Sequence, residues 1–453
     1  MHIHVLGICG TFMASIARLA KQLGHEVTGS DSGVYPPMSN QLEDIGIELI
    51  DGYHPKQLES SPDLVIVGNA LSRGNPCIEH MLDNQMPFSS GPQWLGDNVL
   101  FDRHVFAIAG THGKTTTSAM LTYILHSAGL RPGYLIGGVP MASASSSDLG
   151  DSEFFVVEAD EYDSAFFDKR SKFLHYHSKT LVINNIEFDH ADIFDNLESI
   201  KTQFHHLIRT LPQSGTVIFP KDDKVIESVL ELGCWSKQCC FGHFAQEWQF
   251  QMDERNTQFE IVRNTPDGPQ LGKVDWFLSG RHNVHNGVAA VMAAYQAGVP
   301  IEQSCEILSR FPGVKRRMET LYSKDGFVLY DDFAHHPTAI ETTLIGLRKR
   351  VGNERIVAVI EPRSASMRLG VHNDRLGVSV ASSDYVLWYG DNIDGQGIHR
   401  AMDSSGVSYE LIDQIESLLQ RCLDLAKPDT HMVIMSNGAF QGLQETLVEC
   451  LKN

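Results

Sequence analysis

The chain has 453 residues, 42% hydrophobic and 20% charged, which is long enough for two or three buried cores and too apolar for disorder. A formal charge of −20, with no lysine or arginine run, argues against a nucleic-acid partner, because neutralising phosphates needs a basic face. No apolar run approaches a membrane span, and "MHIHVLGICG" lacks the basic and apolar regions of a signal peptide, so a cytoplasmic location away from the membrane is expected.

In the first segment, "HIHVLGI" reads as a strand and "TFMASIARLAKQLG" as a helix stopped by Gly24. Strands follow at "HEVTGSD" and "PDLVIVGNA", and the alternation argues for a parallel sheet. The turn-rich "SSGPQWLGDNVLFDR" reads as a linker. The second segment has strands at "HVFAIAG", "FFVVEAD" and "TLVINNIEFDH", with "MASASSSDLG" expected to be a mobile loop. Short alternating runs at "EWQFQM", "TQFEIV" and "GKVDWFL" suggest antiparallel strands, before the helix "RHNVHNGVAAVMAAYQAG". A third alternating segment carries the strands "FVLYDD", "RIVAVIE", "DYVLWY" and "HMVIMSN". The expectation is three α/β domains, spanning residues 1–103, 104–312 and 313–453. The eight cysteines show no paired CxxC spacing, so ordinary packing and reduced thiols are expected.

The stretch "AGTHGKTTT" follows an apolar strand and opens a helix. Backbone N–H groups and the positive helix end suit phosphate, Lys114 can reach the terminal phosphates, and the Thr115 hydroxyl can ligate Mg²⁺. The usual pattern has a glycine five residues before the Gly-Lys pair, where this chain has Ile108, and Gly110 comes two places late. ATP and Mg²⁺ are therefore the expected cofactors. Glu158 ends the next apolar strand, where a metal-holding carboxylate belongs; Asp160, Glu161 and Asp163 behind it divide between support and solvated surface. His190, past another strand at the same sheet edge, is a candidate metal ligand.

The N-terminal turn offers Gly7 and Gly10, but Cys9 and Phe12 stand where a dinucleotide pattern needs glycines. Asp31 ends the second strand, where a ribose-binding acid often lies. Taken alone, the turn suits a nicotinamide enzyme, a flavin enzyme or a structural role. Asn283 and Asn286 share one helix face, with His282 beside them, as an adenine contact or as a capped helix start. Arg316 and Arg317 sit at a domain boundary, where an arginine can close on a transferred phosphoryl group. Asp331, Asp332, His335 and His336 cluster at a strand's carboxyl end.

The ordered motifs "GTHGKTTT", "EADE", "NIEFDH", "GRHNVHN", "KRRME" and "DDFAHHPT" resemble the Mur ligases of peptidoglycan synthesis, across essentially the whole chain. The resemblance implies a Rossmann-like UDP-binding domain, a central P-loop ATPase-like domain with a small antiparallel addition, and a Rossmann-like C-terminal domain. It assigns UDP-sugar contacts to Gly7, Cys9, Gly10, Thr11, Phe12, Met13, Ser30, Asp31 and Asn69. The ATP contacts it implies are Gly110, Thr111, His112, Gly113, Lys114, Thr115, Thr116, His282, Asn283, Asn286 and Arg317. Thr115, Glu158 and His190 would serve the metal, and Asp332 would come from the third domain. No lysine stands out as the carbamylated residue of some relatives. The stretches "SGPQWLGD", "EADEYDSAFFDKRSKF", "EPRSASM" and "MSNGAF" are similar to members that take a peptide. The implied reaction joins UDP-N-acetylmuramic acid to the recycled tripeptide L-Ala-γ-D-Glu-meso-diaminopimelate through an acyl phosphate, as ATP becomes ADP and phosphate. Asp332 or His335 would take the amine proton, and Arg363 would meet a peptide carboxylate. The rival readings are an alanine-adding ligase and a non-catalytic nucleotide-regulated binding protein.

Overall fold

A computed structural model describes residues 1–34, 38–143, 145–189, 193–363, 367, 370–390, 395–403 and 405–452. Three large sheets organise these residues, with a two-stranded antiparallel ribbon of Asp163–Ala165 and Asp168–Ser171 beside them. The first is parallel throughout, in the order Glu48–Asp51, Glu26–Asp31, His2–Leu6, Leu64–Val67, Phe88–Ser90. That order reverses beside His2–Leu6, so the turn after this strand lies at a topological switch point, where open α/β sheets form ligand crevices.

The central sheet has ten strands. Its parallel heart runs Thr216–Pro220, Thr180–Ile183, His104–Ala109, Phe154–Ala159, Gly133–Leu135. Covered on both faces, these strands read as continuous apolar runs rather than alternating ones. Trp248–Met252, Gln258–Arg263 and Gln270–Asp275 form an antiparallel extension at one edge, as their alternation predicted. The helix Arg281–Gln296 packs against the helix Lys114–Ser127, and Gly287 admits Trp276 and Phe259 close to its backbone. In the third sheet, Phe327–Asp332, Thr430–Met435, Arg355–Ile360, Tyr385–Tyr389 and Ser408–Ile412 are parallel, with Glu319–Lys324 antiparallel at the edge.

Two sequence expectations fail. The stretch read as a linker forms a helix at Gly91–Leu95, started by Pro92 and capped by the Ser90 side chain, and continues through a π turn over Gly96–Leu100. Trp94, Leu95, Val99 and Leu100 are buried, and the wide turn hides their spacing from a 3.6-residue template. In the segment expected to be mobile, Ser145, Ser146 and Ser147 are buried. Ser146 Oγ lies 3.0 Å from Ser15 Oγ, and Gln22 reaches Asp148 and Leu149, so hydroxyl chemistry joins the first two domains here. The eight cysteines are free thiols. Among the described residues no helix is long and apolar enough to cross a membrane.

Candidate active site

Ile108 is a fully buried strand residue whose neighbour in register is Glu158. The phosphate loop therefore begins after it, at Gly110, and is shorter than the usual pattern by construction. Gly110 (φ 132°) and Gly113 (φ 80°) take backbone conformations that favour glycine, and Gly113 precedes the first turn of the helix Lys114–Ser127. The loop is held from behind by the residues after Ile183. His112 N–H donates to Asn185 Oδ1 at 2.8 Å, and the Asn185 and Asn184 amides donate back to His112 O. Asn184 also donates to Thr117 Oγ1, and Thr111 Oγ1 accepts from Glu187 N–H at 2.8 Å. Two consecutive asparagines at the carboxyl end of an apolar strand were the available signal for this support. Sequence reasoning missed them.

Lys114 Nζ lies 3.0 Å from Glu161 Oε2 and 3.9 Å from Asp160 Oδ1. Burial lowers the affinity of the ammonium for its proton, but Glu161, Asp160 and Glu158 more than offset this and hold it above the usual lysine range. Asp163 instead pairs with the exposed Lys169 and belongs to the surface. Thr115 Oγ1 donates to Glu158 Oε1 at 3.1 Å, while Gly137 N–H donates to the other carboxylate oxygen at 2.7 Å. Burial raises the Glu158 carboxyl above its ordinary value, against the pull of Lys114. A hydroxyl and a half-buried carboxylate form an oxygen-only donor set suited to a hard divalent cation. His190 lies outside the described residues.

The adjacent arginines have different jobs. Arg316 (φ 58°) and Met318 (φ 50°) both occupy the left-handed region, and the two guanidinium groups, 5.3 Å and 4.9 Å from the Phe333 ring centroid, go on to different partners. Arg316 binds the C-terminal domain through Asp331 and the Ser436 and Gly438 carbonyls. Arg317 instead reaches the central loop, with Nη2 3.4 Å from Thr115 Oγ1 and its guanidinium 4.9 Å from the Phe333 ring centroid.

Asp332 is 5% exposed, and its two oxygens accept from Ala334 N–H and Met318 N–H, each at 2.8 Å. It supports the backbone around Arg317, which argues against it as the proton acceptor. His335 is the better candidate. Its Nδ1 lies 2.9 Å from the Phe333 carbonyl, which fixes the proton there and leaves the Nε2 lone pair available. Burial pushes the imidazole down to about 4, so near pH 7 it is neutral and able to accept a proton.

At the N-terminal turn, Gly7 (φ 82°) N–H donates to Ser30 O, and Cys9 N–H donates to Asp31 Oδ2 at 2.9 Å. Gly10 and Thr11 are exposed at its rim, with Phe12 and Asn69 half-buried beside it. Met13 and Ser30 are buried instead, Met13 in the hydrophobic core and Ser30 next to His4, so these two do not line the surface of the turn. Lys172 was not anticipated. It is 7% exposed, with Nζ 3.6 Å from Asp160 and 5.1 Å from the Phe12 ring centroid. Asp160 thus stands between Lys114 and Lys172, linking the central loop to the N-terminal turn.

The expected adenine residues separate. The Asn283 amide donates to Ser279 O at 2.8 Å, which ties the helix start to the residue before Gly280. Asn286 is buried against Gly113, where a Cβ would come within 2.4 Å of its Oδ1, so it supports the phosphate loop. His282 lies in the field of His112 and Arg317, and burial lowers its imidazole to about 4. Thr116 is buried in the first helical turn. Arg363 is exposed and packs over Gly438.

Three α/β domains, with a Gly-Thr-His-Gly-Lys-Thr loop in the second and an arginine from the third meeting it, define a multidomain ligase built around a phosphate loop. Family models match along the chain: the Mur ligase family catalytic domain at residues 2–102, the Mur ligase middle domain at 108–294, and the Mur ligase glutamate ligase domain at 316–438. The chain belongs to the Mur ligase family. It is 48% identical to the UDP-N-acetylmuramate–L-alanyl-γ-D-glutamyl-meso-2,6-diaminoheptandioate ligase of Escherichia coli K12, over 100% of this chain and 98% of that one. A crystal structure of a murein peptide ligase from Psychrobacter arcticus matches with a TM-score of 0.78 and 43% identity, covering 100% of this chain and 99% of the other. A UDP-N-acetylmuramate–L-alanine ligase of Caldicellulosiruptor saccharolyticus is 31% identical, over 98% of each chain.

Proposed function

We propose that the protein joins UDP-N-acetylmuramic acid to the tripeptide L-Ala-γ-D-Glu-meso-diaminopimelate, converting ATP to ADP and phosphate. The observation that carries the reading is Arg317, from the start of the third domain, meeting Thr115 of the phosphate loop at 3.4 Å. A binding protein has no need of a cation delivered from another domain to the terminal phosphates; phosphoryl transfer does. The choice of a peptide over a single amino acid is supported by the 48% identity to the peptide-adding relative against 31% to the alanine-adding one.

In this reading the N-terminal turn takes the UDP of the sugar and the central loop takes ATP. A carboxylate is a poor electrophile, so the muramoyl lactyl carboxylate first accepts the γ-phosphoryl group. That step brings two anions together, and Lys114 and Arg317 offset the repulsion in a buried site, where charge interacts strongly. Thr115 and Glu158 would hold Mg²⁺, with His190 as a further ligand by resemblance, and the bound ion would neutralise phosphate charge. Asp160 and Glu161 fix the Lys114 ammonium. The peptide amine then attacks the acyl carbon, phosphate leaves, and His335 Nε2 takes the amine proton. Water must be kept from the acyl phosphate, and the Thr338 to Glu187 hydrogen bond (2.7 Å) ties the third domain over the second.

ADP release with UDP-N-acetylmuramic acid, measured against L-alanine, the dipeptide, the tripeptide and longer peptides, tests the reading. Turnover with tripeptide and not with L-alanine is expected. Turnover with L-alanine alone would refute the peptide assignment, and full activity of Lys114→Ala would refute the role of the loop.

A further inference from the structure

We infer that Asp189, His336 and His372 form a site for a borderline-soft divalent cation, with Zn²⁺ as its probe, that bridges the central and C-terminal domains. One donor atom from each residue lies within 4.8 Å of the other two. The residues are 5%, 3% and 8% exposed, so the cluster is enclosed rather than a solvated surface group. His336 Nε2 and His372 Nε2 are buried and have no hydrogen-bond partner, although unpaired buried polar atoms are costly. Their rings meet edge to face at 4.6 Å, and a nitrogen of each lies within 4.8 Å of an Asp189 carboxylate oxygen.

The donor set separates this site from the one at Thr115 and Glu158. Two imidazoles and a carboxylate suit Zn²⁺, Co²⁺ or Fe²⁺, whereas Mg²⁺ takes oxygen ligands and is poorly served by nitrogen. Around a tetrahedral ion with bonds near 2.1 Å the donors stand about 3.4 Å apart, so from separations within 4.8 Å the cluster contracts by at most about 1.4 Å on loading. Coordination through His336 Nε2 moves that ring's proton to Nδ1, which sacrifices only a long 3.3 Å contact from Thr338 N–H. Burial already lowers both imidazoles, His336 to about 3, so they are in the neutral form that binds metal near pH 7. Glu187 and His112 face His336 from the central domain and form a second group with it, so further donors stand next to the site.

Asp189 follows the central strand Thr180–Ile183, whereas His336 and His372 belong to the third domain. A cation held by all three therefore fixes the two domains in one arrangement, and a cycle that must open to release product slows when the site is loaded.

Calorimetric titration of the full chain with Zn²⁺ in excess Mg²⁺ tests the inference, with metal content measured after dialysis. One Zn²⁺ per chain is expected, weakened at least about tenfold in His372→Ala and in Asp189→Asn. Zn²⁺ should also slow ADP release by the wild type more than by His372→Ala. In the wild type, where no variant has to fold, Co²⁺ should give the intense visible bands of a low-coordinate nitrogen and oxygen site. Failure to retain Zn²⁺, equal affinity in the folded variants, or a Co²⁺ spectrum like that of the hexaaqua ion overturns the site. Zn²⁺ binding and the Co²⁺ spectrum are read without turnover, so loss of the site leaves the ligase reading untouched.

Discussion

Replacing Gly113 with alanine tests whether the loop geometry, rather than its composition, makes the ATP site. At φ 80° an alanine costs about 1–2 kcal/mol in the left-handed region. The new Cβ would also stand 2.4 Å from Asn286 Oδ1 and 2.9 Å from Asn184 Nδ2. Neither neighbour withdraws freely, since Asn184 donates to His112 O and Thr117 Oγ1 and Asn286 is buried in a helix. The loop must therefore retreat by about 1 Å to restore ordinary contact distances near 3.5 Å. Losing one charge-assisted hydrogen bond to phosphate removes about 1.5–3 kcal/mol, so ATP binding should weaken about 10- to 100-fold. Gly129→Ala is the control: Gly129 follows the same helix at φ 85° with nothing within 4 Å of its Cβ position. Both variants pay the backbone strain and should lose similar thermal stability, but only Gly113→Ala should lose ATP in a calorimetric titration. Binding by Gly113→Ala within about twofold of wild type would refute the argument.

Arg317→Lys keeps the charge but loses the planar guanidinium stacked on Phe333; kcat for ADP formation should fall about 10²- to 10³-fold, while binding of the UDP-sugar, measured separately, stays unchanged. His335→Gln should lower kcat about 10²- to 10⁴-fold and abolish the acid limb near pH 4 that the wild-type imidazole contributes to the pH–rate profile. Asp332→Asn should instead destabilise the third domain by about 1–3 kcal/mol in thermal melts, because an amide oxygen replaces only one of two acceptors for backbone N–H groups. His4 is 1% exposed, and burial lowers its imidazole from 6.5 to about 4. The unfolded chain thus takes up its proton first, so stability is complete above pH 6.5 and falls by about 1.4 kcal/mol per pH unit down to pH 4. Melting across that range should show a shallower decline for His4→Gln.

What the sequence revealed follows from how local the responsible physics is. Phosphate loops, buried parallel strands and helix starts depend on residues within one turn of each other, so Gly113, Lys114 and the apolar runs were legible. Ile108 looked like a defect only against a longer loop; in the sheet it is the last core residue before a shorter one. The supports were not legible, because Asn184, Asn185 and Asn286 act on the loop from other parts of the chain. Neither was the division of labour between Arg316 and Arg317, which depends on two left-handed residues that no pattern of side chains announces. The linker failed for a different reason. A π turn shifts the apolar register, so a helical template finds no face in residues whose side chains are nonetheless buried.

The paired arrangement of the buried cations reconciles an anionic chain with anionic substrates. At −20 the overall field repels nucleotides, so attraction must come from groups close enough to escape it. Lys114 and Lys172 share Asp160, and Asp332 stabilises the charge on Arg317. Without these carboxylates, and Glu161 beside Lys114, the cations would be buried and unpaired, which costs several kcal/mol. With them the cations are ordered, and phosphate oxygens compete with a fixed partner rather than with bulk water. Affinity then depends on how well the incoming anion replaces the carboxylate. A phosphoryl group gathering charge in the transition state replaces it better than the ground state does, so the same pairing that tempers binding favours the chemical step.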